Sequence, residues 1–191
     1  MDPIMRGCTR KGLQPPDSEC DLHNFVSYNV YESCQFALPI TQAVNQLQEQ
    51  LLKIRPAESE DLRALLQLDP TAQREESRAT FIRRSLACAV CFVATEAEVI
   101  VGYSVLDSSF FDRAYISMLY VHPEFRRRGI GFSLMLRMEE ASNDSRLFTS
   151  TNQSNTPMQA LLNKLGYRRS GFVENLDEGD PELIYVKDLQ K

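Results

Sequence analysis

Apolar and polar positions are most sharply ordered between residues 115 and 138. Tyr115-Ile116-Ser117-Met118-Leu119-Tyr120-Val121 is an apolar run rich in strand formers. His122-Pro123 ends it, because proline cannot continue a central strand. Arg126-Arg127-Arg128 and Gly129-Ile130-Gly131 follow. Then Ile130, Leu134 and Met138 recur on one line of a helix, with Met135 beside it. The pattern predicts a strand, a tight basic-glycine loop and a helix.

The flanking pattern predicts further elements. Residues 52–56 alternate as a first strand. Glu58, Glu60 and Asp61 place acids at the start of a helix carrying Leu62, Leu65 and Leu66, which Pro70 ends. A second helix is predicted over residues 72–86, with Phe81 and Ile82 buried. Strands are predicted over 91–95 and 99–106, joined by an acidic turn at 96–98. Gly102 marks a bulge or a close backbone approach. Residues 107–113 are predicted as a turn, with Phe110 and Phe111 in the core or lining a binding face. After the helix come a strand over 147–151 and a polar turn over 152–155. A helix from Pro157 to Leu165 follows, stopped by Gly166. Strands over 167–173 and 183–189 close the chain around an acidic loop.

Residues 1–39 lack sustained periodicity, although 25–31 suit a short strand. Residues 41–52 suit a short helix with Val44, Leu47 and Leu51 on one side. The division predicted is an extension over 1–50, flexible or packed on a partner subunit, and a regular domain over 51–191; a homodimer stays open.

Composition narrows the class. The chain of 191 residues is 43% hydrophobic and 25% charged, enough for a substantial core. The net charge of -5 argues against a nucleic-acid partner held by bulk charge. No apolar stretch is long enough to span a bilayer, and the N-terminus lacks a signal-peptide pattern, so no membrane association is expected. The five cysteines are irregularly spaced. They suit reduced thiols in a cytoplasmic protein better than a disulfide framework. Cys8, Cys20 and Cys34 with His23 lack zinc-ligand spacing, so no metal is expected. Cys88 and Cys91 have redox-motif spacing but are not placed at a helix start, and packing is the expected role.

The chemistry concentrates in the basic-glycine loop. A helix N-terminus offers unpaired N–H groups and partial positive charge. Glycines admit an anion to that backbone, and arginines add bidentate donors. A P-loop would need Lys-Ser or Lys-Thr after its glycine, and a Rossmann turn would need glycine where Leu134 stands. Instead, Leu119-x-Val121-x-Pro123-x-x-Arg126-x-x-Gly129-x-Gly131-x-x-Leu134 resembles the acetyl-CoA signature of the Gcn5-related N-acetyltransferase (GNAT) family. Asn155, Ala160-Leu161 and Leu165-Gly166-Tyr167 resemble a later segment of the same family. The resemblance covers about residues 51–191. It implies an α/β (α+β) GNAT fold, a central twisted mixed sheet of about seven strands flanked by about four helices.

The same resemblance implies an acetyl-CoA-dependent N-acetyltransferase acting on a small-molecule or protein amine. Backbone groups of Leu119, Tyr120 and Val121 would hold the thioester and pantetheine, the Leu119 N–H polarising the acetyl carbonyl. Arg126, Arg127, Arg128, Gly129, Ile130, Gly131 and Phe132 would hold the pyrophosphate, and Asn155 the pantetheine arm; a helix cap is the other reading of Asn155. The family's usual glutamate and tyrosine positions hold Ser117 and Leu162. Ser117 is left to position a water, and Glu174 in the acidic 174–182 loop is the candidate base. Tyr167 is expected to pack in the core and His122 to shape the turn. Arg74, Glu75, Glu76 and Arg78 fall on helices that border the acceptor cleft in the family, where a solvated face competes with substrate contact. With glutamate and tyrosine missing, a non-catalytic acyl-CoA sensor or interaction module stays open. A module binding a partner's phosphate groups also stays open.

Overall fold

A computed structural model of the protein describes residues 52–190. The strand expected at 25–31, most of the helix at 41–52, Cys8, Cys20, Cys34, His23 and the 1–50 extension lie outside the described residues.

The described chain forms a seven-stranded mixed sheet. Strand β1 (Lys53–Pro56) pairs antiparallel with β2 (Val90–Glu96), and β2 with β3 (Val99–Phe110). Strand β3 pairs antiparallel with β4 (Arg113–Val121), which runs parallel to β5 (Arg146–Asn152). Strand β7 (Glu182–Asp188) inserts between β5 and the edge strand β6 (Arg168–Val173). Helices α1 (Leu62–Leu68), α2 (Pro70–Arg74) and α3 (Glu76–Cys88) lie between β1 and β2 in sequence. Helix α4 (Ile130–Ala141) joins β4 to β5, and α5 (Thr156–Lys164) follows β5. None of these helices is long and apolar enough to cross a membrane.

Two core layers sandwich the sheet. Leu134, Met135 and Met138 of α4 and Leu162 of α5 pack with Phe92, Val101, Ile116, Leu147 and Tyr185 on one face. Leu65 of α1 and Ile82 of α3 pack with Val93, Tyr103 and Val105 on the other.

The structure departs from the sequence pattern in three places. The helix expected over 72–86 is broken at Glu75, whose φ of -125° and ψ of 115° are extended. Helix α1 stops at Leu68 just before Pro70, as expected, but Pro70 also opens α2, capped by Asp69, whose Oδ1 accepts from Thr71 N at 2.9 Å. Five α-helices result among the described residues. The turn expected over 107–113 shrinks to Phe111-Asp112, with φ of 52° and 57°. Strands β3 and β4 thereby extend to meet at a two-residue hairpin, whose positive φ values match the strand twist. Ala97-Glu98, with φ of 47° and 61°, makes the same kind of turn between β2 and β3.

Two register shifts shape β3–β4. Val105 opposes Met118 but Leu106 opposes Ile116, so Ser117 is an extra residue in β4. Asp107 opposes Tyr115 and Phe110 opposes Arg113, so β3 carries its own extra residue at Ser108-Ser109. A bulge reverses which face later side chains occupy. Ile116, Leu119 and Val121 pack under α4 and α5, whereas Met118 and Tyr120 pack under α1–α3. Gly102 holds β3 close to β4: a Cβ there would lie 2.8 Å from the Tyr120 carbonyl oxygen.

Gly102→Ala is expected to destabilise the chain by about 1–3 kcal/mol through that backbone collision, read by urea unfolding. A second expectation concerns Arg55 and Asp61, which tie β1 to the turn before α1 at 2.7 and 2.8 Å. The Arg55 guanidinium, helped by the Glu58 N–H, holds the Asp61 carboxyl below its usual range. A depressed folded pKa gives stability that is complete above the unfolded value near 4 and lost as pH falls through the folded one. Asp61→Asn should therefore be less stable than the native chain at pH 7, by about 1–3 kcal/mol, with the gap shrinking as pH falls through the lowered folded value.

Candidate active site

Strand β4 parts from β5 in mid-strand. Their pairing is confined to Tyr115–Phe148 and Ile116–Thr149, with the Thr149 hydroxyl donating to the Ile116 carbonyl at 3.0 Å. Beyond Ile116, β4 stays paired to β3 only. The His122 N–H donates to the Val101 carbonyl on β3 at 2.9 Å. Backbone groups alternate in direction along a strand, so those of Leu119 and Val121 point away from β3, toward the gap. Arg126 Nε donates to the Val121 carbonyl at 2.9 Å from that side.

The gap leads to the N-terminus of α4. Gly129 is its N-cap, with φ of 84°, a left-handed conformation that glycine adopts without strain, and no side chain caps the helix. The Ser133 N–H is the first to close on the helix, at 3.0 Å to the Gly129 carbonyl, leaving the N–H groups of Ile130, Gly131 and Phe132 available. A Cβ on Gly131 would meet nothing nearer than Leu161 Cδ2 at 3.5 Å. Packing inside the protein therefore does not require glycine there.

The three arginines are exposed and differently engaged. Arg126 folds back on Val121. Arg128 reaches Glu96 at 3.3 Å and lies 4.9 Å over the Phe125 ring. Arg127, with φ of 64°, makes no hydrogen bond or ion pair among the described residues. His122 caps the short turn before Arg126 and sets its ring edge against Phe125 at 5.8 Å, matching its expected turn role.

Asn155 caps α5, its Oδ1 accepting from Met158 N at 3.2 Å. Both readings of Asn155 are compatible, because the cap uses Oδ1 and not the Nδ2 donor. Leu162 is fully buried in the core, and Tyr167 packs beside it. Burial pushes the Tyr167 phenol well above its ordinary range.

The acidic loop is tied to the β5–α5 turn. Asp177 accepts from Asn152 Nδ2 at 2.7 Å, and Asp180 accepts from Ser154 N and Oγ at 2.8 and 2.6 Å. Glu174 is exposed just beyond β6, the edge strand, which β5 and β7 separate from β4 in the sheet. Cys91 is buried, as its packing role requires, and its thiol is pushed up to about 12 by that burial. Cys88 is exposed.

One carboxylate that sequence reading missed lies against Ser117, the residue after the last β4–β5 pair. Ser117 Oγ donates to Asp107 Oδ2 at 2.7 Å, while Asp107 Oδ1 accepts from Ser109 N and Oγ at 2.9 and 2.6 Å. Tyr115, opposite Asp107, shares a 2.6 Å hydrogen bond with Ser150 Oγ. Burial raises the Tyr115 phenol, and the negative charges of Glu182 and Asp107 add to the shift. Phe110 stacks on Tyr115 at 5.3 Å and meets Phe148 at 5.2 Å, whereas Phe111 is exposed at the hairpin. Arg78 of α3 donates to Met118 Sδ at 2.9 Å, whereas Glu76 pairs with Arg83. No spacing rule links Asp107 to Ser117; two bulges bring them together.

The family model described as Acetyltransferase (GNAT) family matches residues 53–167. The chain belongs to the GNAT acetyltransferase family. An acetyltransferase of the GNAT family from Bacillus cereus is 36% identical, with a TM-score of 0.69 over 74% of this chain and 99% of that one. A putative acetyltransferase from Salmonella typhimurium, solved with its cofactor acetyl-CoA, shares the fold at 18% identity and a TM-score of 0.61, over 73% of this chain and 95% of that one. The ribosomal-protein-S18-alanine N-acetyltransferase from Escherichia coli does so at 19% identity and a TM-score of 0.62, over 74% and 96%. The comparison with curated proteins gives no match. In this GNAT enzyme the seven-stranded sheet expected from the sequence is present, with one more helix than expected.

Asn155→Ala is expected to cost about 1 kcal/mol through loss of the α5 cap. Asn155→Asp, which keeps the acceptor, should retain native stability. Urea unfolding of the two variants distinguishes these outcomes.

Proposed function

We propose that this enzyme transfers the acetyl group of acetyl-CoA directly to a primary amine. The observation that carries this reading is the conjunction of β4 backbone groups turned into a gap with an uncapped, glycine-lined helix N-terminus beside it. Phosphate oxygens suit the free N–H groups of Ile130, Gly131 and Phe132, with Arg127 and its neighbours adding charge. An extended pantetheine arm suits the strand-like edge of Leu119, Tyr120 and Val121, and the Asn155 Nδ2 is a donor for its amides. The Leu119 N–H is assigned to the acetyl carbonyl, where a fixed donor favours the charge that develops on attack.

The acceptor sets the remaining demand. An alkylammonium with pKa near 10.4 is neutral in only about one molecule per 10³–10⁴ at pH 7, a cost of roughly 4–5 kcal/mol. A group that takes the proton near the thioester lowers that cost. Ser117 is assigned to contact the amine or an ordered water. Glu174 is a weaker choice because β5 and β7 separate β6 from β4 in the sheet. Residues 1–50 are proposed as an extension outside the transferase domain.

The test is thermal unfolding with and without acetyl-CoA, followed by CoA thiol release with primary amines. At 100 times Kd, a ligand of the folded state adds about 2.7 kcal/mol. That should raise Tm by roughly 5–10 °C. Arg127→Glu should leave the unliganded Tm unchanged and reduce the acetyl-CoA shift. Absence of any shift in the native chain at saturation would overturn the cosubstrate assignment.

A further inference from the structure

We infer that Asp107, reaching from β3, is the positioning carboxylate for the acceptor ammonium, acting through Ser117; this rests on the acetyl-transfer reading above. Strand β4 itself, RAYISMLYV, contains no Asp or Glu. The serine stands at the residue where β4 leaves β5, and its hydroxyl donates to Asp107 Oδ2 at 2.7 Å. The other carboxylate oxygen is fixed by Ser109 N and Oγ at 2.9 and 2.6 Å. The carboxylate is thus held from one side while its second oxygen engages Ser117.

A hydroxyl has one proton to give. With that proton committed to Asp107, Ser117 Oγ offers only lone pairs to a ligand. A lone-pair oxygen backed by a carboxylate selects a donor carrying positive charge. Phe110, whose ring centroid lies 5.3 Å from that of Tyr115 and 5.2 Å from that of Phe148, adds π-faces and apolar surface beside Tyr115, which opposes Asp107. The acceptor class this fits is a primary ammonium on an apolar or aromatic stem.

The proton balance closes without a metal or a redox partner. The ammonium gives one proton through Ser117 Oγ to Asp107 Oδ2, and Asp107 releases it to solvent. The freed nitrogen lone pair forms the bond to the acetyl carbon as the carbon–sulfur bond breaks. The departing sulfur takes a second proton from that nitrogen, leaving an amide and CoA thiol.

Tyr115 on β4 lies opposite Asp107, Glu182 is on β7, and Arg78 of α3 contacts Met118, the residue after Ser117. Burial keeps Tyr115 protonated through neutral pH. Glu182 acts on Tyr115 through its charge, and Arg78 is engaged with Met118.

The experiment measures CoA thiol release by the full-length chain saturated with acetyl-CoA. The amines are 2-phenylethylamine, n-butylamine and a lysine-containing tetrapeptide, each assayed from pH 6.5 to 9.5. Asp107→Asn and Ser117→Ala should each lower kcat/KM about 10²-fold at pH 7. The double variant should fall little further, since the two act as one unit. Ser117→Thr, which keeps the hydroxyl, should stay within about threefold of native. The deficits should shrink as pH rises and the amine deprotonates unaided. Deficits equal at every pH, or native activity in Asp107→Asn at pH 7, would overturn the inference. Should Asp107→Asn fail to fold, the Ser117→Ala and Ser117→Thr pH profiles decide between the same outcomes. No thiol release from any amine by the native chain, with acetyl-CoA still raising Tm, would overturn the ammonium assignment alone. No rise in Tm would overturn the acetyl-CoA reading and this inference with it.

Discussion

A strand inside a protein must pair its backbone on both sides or leave polar groups without partners. Strand β4 is paired along its length with β3 but with β5 at only two positions. The groups of Leu119 and Val121 therefore face a gap between strands. Arg126 takes up one carbonyl, and the rest of the edge suits an extended ligand that completes the ladder. The uncapped start of α4 repeats this condition a few residues later, with N–H donors presented to an anion. Both features belong to one continuous stretch of the chain.

The extra residue in β4 gives the gap its chemistry. Without Ser117 out of register, Met118 and Tyr120 would share a face with Ile116. With it, Leu119 and Val121 pack under α4 and α5, and Met118 and Tyr120 turn to the α1–α3 side. The same shift sets Ser117 against Asp107. Gly102 permits the close β3–β4 approach that this arrangement needs. Packing and site geometry are thus consequences of the same backbone irregularity.

Local charge in the site opposes the net charge of the chain. The protein carries -5 overall, yet three adjacent arginines surround the helix N-terminus. Glu96 and Phe125 anchor one of them, and Val121 another. Acidic groups instead gather in the 174–182 loop, where Asp177 and Asp180 serve structure by holding the β5–α5 turn. Charge is therefore unevenly distributed over the chain, with basic groups concentrated at the N-terminus of α4.

The order of strands and helices was readable because apolar periodicity and glycine and proline punctuation act over a few residues. The run 115–121, the glycines at 129 and 131 and the spacing of Ile130, Leu134 and Met138 pointed to the basic-glycine loop and its helix without tertiary contacts. Local pattern was less decisive where two conformations compete, as at Glu75, which breaks a helix, and at Phe111-Asp112, which closes a hairpin. The Asp107–Ser117 pair was hidden for a different reason. Their neighbourhood depends on strand pairing across a bulge, which leaves no fixed interval in the chain. The sequence by itself determined the order of the strands, the basic loop and the family. Tertiary structure alone decided which backbone groups stay unpaired, which face each β4 side chain takes and which carboxylate meets Ser117, because sheet register is a long-range property that a one-residue shift reverses.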